Sequence, residues 1–266
     1  MKTIGALRPR PAGFTLVEVM ISLAVVTLVT GMCMSTFLFG LRTMYKDGQR
    51  LATNAGLRSF MAQVSKETLD ASYFYLFPYY TSIDTSVDLS ADVAPMSQIF
   101  DAADNDYDKW VAHGDCLVLV TKTSLHRTSD LRQIRIYYRV AASQADRNAE
   151  SAIRYYETAD WGEGTAGTSN GHPATGLAAE LNAINLAANP NVAGTRQLAA
   201  RTIGRNVPSP YTPFAAGDRY PVFSSESPDS TATNGYIAIN MEIVNGGANS
   251  NLLSSSSFNY TISPRR

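Results

Sequence analysis

The sequence predicts an α+β protein in which one long N-terminal α-helix packs on an antiparallel β-sheet. Three observations carry this expectation. From Phe14 to Leu41 the chain is apolar for 28 residues and holds a single charge, Glu18. Leu57, Phe60, Met61 and Val64 then recur at the spacing of one helical face. Beyond residue 115, five short segments run apolar or alternate as strands do. With 266 residues and 45% hydrophobic content, the chain can bury a core beside any membrane segment.

The first thirteen residues, "MKTIGALRPRPAG", carry Lys2, Arg8 and Arg10 and no acid. The apolar run after them exceeds the roughly 20 residues that span about 30 Å of hydrocarbon. A membrane-crossing helix is therefore predicted, with the basic leader cytoplasmic and the rest exported. A secretory signal peptide would end its apolar region at a small-residue cleavage site, and "FLFGLRTMY" offers none. A lipoprotein signal at Cys33 would want a small residue where Met32 stands. A plain anchor accounts for the length but leaves Glu18 unexplained, because an acid inside a spanning segment is costly and marks a function.

The stretch "GFTLVEVMISLAVV" resembles the class III signal of type IV pilins and type II secretion pseudopilins, strictly over residues 8–40 and more loosely beyond. The resemblance implies a pilin-like fold. It also implies cleavage by a prepilin peptidase/N-methyltransferase between Gly13 and Phe14, and methylation of the new Phe14 amine. Glu18 matches the family's acidic residue four positions after the cut, which is thought to meet the amine of a neighbouring subunit during assembly. Opposite charges attract strongly in low dielectric, so the pair would offset the cost of burying both. Implied partners are the peptidase, other pilin or pseudopilin subunits and the inner-membrane assembly platform. The implied location is the inner membrane, single-pass with the head periplasmic, and then a pilus or pseudopilus.

The expected organisation is a leader (1–13), a transmembrane and filament-core helix (14–41), an amphipathic continuation into the head (42–70), a connecting loop (71–115) and a β-sheet head (116–266). A helix from Phe14 to Leu69 would extend about 84 Å at 1.5 Å per residue. Gly40, Gly48 and Gly56 lower its propensity by about 1 kcal/mol each relative to Ala. In the connection, "YFYLFPYY" is read as aromatics covering the helix end and the sheet edge. The five strand segments are "CLVLVT" (116–121), "QIRIYYRV" (133–140), "AIRYYE" (152–157), "YIAINMEIV" (236–244) and "FNYTI" (258–262). The second of these sets Ile134, Ile136, Tyr138 and Val140 against Arg135, Tyr137 and Arg139, the pattern of a half-exposed strand. The N-terminal helix is expected to cover the apolar face. Between residues 159 and 235 lie a Gly-rich loop, a short helix in "LAAELNAINLAA" and six prolines from Pro190 to Pro228. This long head, with "RTIGRNV" and a final Arg-Arg, resembles the PilW and PulJ group of minor pilins.

Formal net charge is −1, with 22 Lys and Arg against 23 Asp and Glu, and no polybasic run points to nucleic acid. Removing the leader leaves 19 basic side chains, a mildly acidic mature chain at −4. Cys33 and Cys116 lie too far apart in this plan to bridge, and neither has Cys or His neighbours at zinc spacing. His113, His126 and His172 share no ligand or triad spacing, and no glycine pattern matches a phosphate loop. An enzyme is therefore not expected, nor an obligatory cofactor. One constellation could hold calcium: in "DNDYDKWVAHGD", Asp104, Asp106 and Asp108 alternate and Asp115 occupies the last ligand position of an EF-hand-like loop. Lys109 stands there in place of the turn glycine. The competing reading of the whole chain is a membrane-anchored extracytoplasmic binding or adhesion module that never enters a filament.

Overall fold

The computed structural model describes residues 13–83, 97–101, 106–122, 131–162, 177–186, 188–204, 217–227, 236–245 and 254–262. It divides into two units, Met1–Leu51 and Ala52–Arg266. Helix α1 runs from Leu16 to Asp70. Its first part is exposed along its length, from Leu16 at 77% through Val29 at 50% to Leu51 at 70%. An 18-residue window of α1 is apolar enough to cross a membrane, and none of that window is buried within the chain. The hydroxyls of Thr27, Thr30, Thr36 and Thr43 each bond a carbonyl of the preceding turn, so the helix satisfies these polar atoms itself.

In the second unit, the last turns of α1 pack on a sheet that has ten strands among the described residues. These are β1 (Tyr73–Phe77), β2 (Ser97–Asp101), β3 (Asp106–Gly114), β4 (Cys116–Lys122), β5 (Leu131–Arg139), β6 (Ser151–Glu157), β7 (Arg196–Gly204), β8 (Phe223–Ser227), β9 (Tyr236–Asn245) and β10 (Ser254–Ile262). Every pairing among them is antiparallel, in the order β1-β4-β5-β6-β7-β9-β8-β3-β2. Strand β10 lies along β9 through its full length. On its other edge β9 takes β8 at residues 236–239 and β7 at residues 241–243, one after the other. The described residues of the unit also include two short α-helices, α2 (Gln144–Asn148) and α3 (Leu177–Ile184).

The expected strands are β4, β5, β6, β9 and β10. The expected connection at 71–115 is corrected, because it contains β1, β2 and β3. The aromatics "YFYLF" form β1 itself, buried at every position and paired with β4 from Tyr73↔Val120 to Phe77↔Cys116. Gly114 ends β3 against β1, where an added β-carbon would lie 1.9 Å from the Phe77 carbonyl oxygen, so only glycine lets the backbones approach this closely.

Leu57, Phe60, Met61 and Val64 bury as one face, at 0–5% exposure, and pack with Leu76, Leu117, Leu119, Tyr137 and Tyr155. The helix therefore covers the chain's own sheet, as the spacing predicts. It covers the opposite face of β5 from the one expected. Tyr137 faces α1, with its ring 6.0 Å from Phe60 edge-on, whereas Ile134, Ile136 and Tyr138 face Leu177, Leu181 and Leu186. Nor is β5 half-exposed: Ile136, Tyr137 and Tyr138 are all at 0%. The second layer, built from α3 and the residues after it, buries the side that a single covering helix would have left to water.

Candidate functional site: the processing junction and its capped carboxylate

The chain enters α1 through Gly13, Phe14 and Thr15, all exposed. A β-carbon at Gly13 would meet nothing within 4 Å, so the fold itself does not require glycine there. The Gly13–Phe14 bond is thus an exposed, extrahelical peptide one residue before the helix cap.

Thr15 and Glu18 form a capping box. The Thr15 carbonyl accepts from Val19 N at 3.2 Å, the first intrahelical bond, and the Thr15 hydroxyl accepts from Glu18 N at 3.3 Å. In return, Glu18 Oε2 accepts from Thr15 N at 2.9 Å and from Thr15 Oγ1 at 3.0 Å. Two otherwise orphaned N–H groups at the helix start are satisfied, and the carboxylate sits where the helix dipole favours negative charge. Both Thr15 donors go to the same oxygen, and Oε1 accepts no hydrogen bond among the described residues. The pattern Thr-x-x-Glu before an apolar run is a legible cap signal, and it gives Glu18 a local role that the family resemblance alone does not.

The model of the family described as the prokaryotic N-terminal methylation motif matches residues 8–34. The N-terminus carries the pattern of a prokaryotic methylation motif. The match includes Gly13, Phe14, Thr15 and Glu18 and stops well short of the head. No curated protein and no solved structure matches the chain.

The aspartates of the expected calcium loop that are described, Asp106, Asp108 and Asp115, do not lie on one loop. Asp104 lies outside the described residues. Asp106 and Asp108 fall on β3, which stays extended to Gly114, so Asp106 and Asp115 are separated by a strand of roughly 30 Å at about 3.3 Å per residue. A calcium loop must curl so that its first and last ligands meet; this segment is instead held straight by pairing with β8 and β2. Asp115 itself is fully buried and committed elsewhere. Its Oδ2 accepts from Arg147 Nε at 2.8 Å and lies 3.9 Å from Arg139 Nη1, and its Oδ1 accepts from Val222 N at 2.9 Å. Arg139 also donates to the carbonyls of Arg147 and Ala149, and Arg147 donates to that of Pro78 and stacks over Tyr79 at 4.6 Å. Among the described residues, no three His, Cys, Asp or Glu side chains form a group that could hold a metal.

His113 lies on β3, and burial followed by the nearby Arg147 charge depresses its pKa to about 4, so it is neutral at physiological pH. His126 and His172 lie outside the described residues. Cys33 is exposed on α1 and Cys116 is buried, both as free thiols; burial followed by the Asp115 charge pushes the Cys116 thiol far above its ordinary range. Sequence reasoning also missed Glu67, one turn beyond the Val64 face. It accepts from Tyr137 OH at 2.6 Å and lies 3.0 Å from Tyr155 OH, whose one proton it shares with Glu157 at 2.6 Å, with Arg135 at 3.8 Å. Burial first, and then hydrogen bonding to carboxylates, raises both phenols well above the usual tyrosine range, so they remain donors. This latch fixes the rotation of the helix end on the sheet.

Proposed function

We propose that the chain is a pilin- or pseudopilin-like structural subunit of the minor-pilin kind, with its nearest likeness in the PilW and PulJ group, and not an enzyme. A prepilin peptidase cuts after Gly13 and methylates Phe14. The apolar part of α1 holds the subunit in the inner membrane, N-terminus cytoplasmic and head periplasmic, until it joins other subunits in a type IV pilus or type II secretion pseudopilus through the assembly platform. The observation that carries this reading is the methylation signal joined to a capped Glu18 with one oxygen open, at the start of a 55-residue helix whose first part is exposed through Leu51. The open Oε1 is the acceptor for a neighbour's methylated amine, and Thr15 holds it at the helix start. Intact-mass spectrometry of the full chain produced with an active prepilin peptidase should find a protein that begins at methylated Phe14. Persistence of the Met1 form refutes the processing step.

The capping box itself favours one alternative. A membrane-anchored binding module would also profit from a capped helix, and there Glu18 would need no partner. The two readings separate on charge: a cap tolerates Gln in place of Glu, and an amine counter-ion does not.

A further inference from the structure

Immediately after the apolar run, "LRTMYKDGQR" places Arg42, Lys46 and Arg50 four residues apart on α1. At about 100° per residue they occupy an arc of roughly 80° on one side of the helix. Leu41, Met44 and Leu51 fall on the opposite side, while Tyr45 and Asp47 flank the cation arc, each about 60° from its nearer edge. Arg42, Arg50 and Tyr45 are exposed and Lys46 is half-buried. The ion pairs among the described residues involve none of the three cations.

Their position along the axis matches a bilayer. From Phe14 to Arg42 the helix rises about 42 Å, and a bilayer with its headgroups is about 40–45 Å thick. With Phe14 at the cytoplasmic headgroups, Arg42 arrives at the opposite headgroup plane. Helical side chains lean toward the N-terminus, here toward the membrane, so Lys46, about 6 Å further along the axis, can bend back to the same plane, and Arg50, about 12 Å along, can reach down to its outer margin. Tyr45 stands at the depth where interfacial aromatics collect. Three cations on the exported flank oppose the cytoplasmic bias of Lys and Arg that orients such helices, so orientation does not account for them.

We infer that Arg42, Lys46 and Arg50 form a clamp for anionic phospholipid headgroups on the periplasmic face of the inner membrane. Their donors bind phosphate oxygens while Tyr45 seats the helix in the interface. The clamp sets the depth of the subunit in the bilayer and holds it there before assembly. It rests on the membrane-spanning part of the proposed function and on none of its assembly steps.

The test uses the full chain reconstituted in vesicles of phosphatidylcholine with a quarter phosphatidylglycerol, and spin-labelled versions of each lipid. The leader cations Lys2, Arg8 and Arg10 add a background, so the quantity read is the difference between wild type and the variant carrying R42Q, K46Q and R50Q. Wild type should enrich phosphatidylglycerol over phosphatidylcholine in its motionally restricted shell by about fivefold or more relative to the variant, since each surface cation adds roughly a fivefold preference. The difference should shrink in 1 M salt, roughly a 3 Å Debye length. No difference overturns the inference. So does displacement of the lipid by millimolar inorganic phosphate, which would mark a site for a free ion. A variant with unchanged lipid shell but lost co-assembly assigns the cations to a protein neighbour and also overturns it. Labelling of Cys33 keeps the two readings apart. Protection from a membrane-impermeant maleimide, with reaction toward a permeant one, shows the helix spanning whatever the lipid result; reaction with the impermeant reagent defeats the spanning reading itself.

Discussion

Replacing Asp115 by Ala tests whether the carboxylate at the β3–β4 junction is structural. In the native chain it faces Arg139 at 0% side-chain exposure and Arg147 at 5%. Removing it leaves two buried guanidinium groups repelling each other, at a cost of about 3–5 kcal/mol for a broken buried pair. The Val222 N–H loses its acceptor as well, which adds about 1–3 kcal/mol. Against a total stability of about 5–15 kcal/mol, the loss is a large fraction. Urea unfolding of the full chain in detergent, followed by tryptophan fluorescence, should show a midpoint lower by about 1–2 M with little change in slope. Asp115→Asn keeps an acceptor for Val222 N and should fall between wild type and Asp115→Ala. A loss under about 1 kcal/mol, the range of exposed pairs, refutes the buried-pair argument. Calcium should not change the melting temperature of wild type. A calcium-induced rise that disappears in Asp115→Ala would show that the carboxylate serves a metal instead.

Three further outcomes follow from the geometry. Glu18→Gln keeps the cap and loses the charge, while Thr15→Ala loses a cap worth about 1 kcal/mol and keeps the charge. If Glu18 serves assembly, cross-linking and sheared-filament assays should show co-assembly falling at least as far for Glu18→Gln as for Thr15→Ala, with insertion intact in both; wild-type assembly by Glu18→Gln makes it a cap alone and supports the anchored module. Gly13→Val should leave the helix unchanged by circular dichroism, since nothing crowds that position, yet block processing, because the requirement for glycine lies in the peptidase; normal cleavage would remove Gly13 from the signal. His113 has a folded pKa of about 4 against 6.5 for a free imidazole. The unfolded chain therefore binds the proton first, and stability present above pH 6.5 is lost as pH falls toward 4, by up to about 3 kcal/mol. His113→Gln should flatten that limb of the melting-temperature profile, and an unchanged slope would contradict it.

Features set by neighbours in sequence were legible. The methylation signal, the length of α1 and the strands β4, β5, β6, β9 and β10 depend on spacing within a few residues. The capping box was equally local, since Thr15 and Glu18 are three apart, and could have been read from the same stretch. Only the folded chain decided which side of β5 meets the helix. Tyr137 looked outward beside Arg135 and Arg139, but its ring packs on Phe60 and its hydroxyl reaches Glu67, 70 residues earlier. Likewise Asp115 looked like a loop ligand until Arg147, 32 residues on, and Val222, 107 residues on, claimed its oxygens. Periodicity reports which residues share a side of an element; which side is buried, and what a buried charge meets there, depends on layers supplied by distant segments such as α3. The sequence by itself therefore determined the signal, the long helix and five of the strands, and tertiary packing determined which side of each element is buried and what a buried charge such as Asp115 meets there, because an unpaired charge in that core would cost more than the fold can spare.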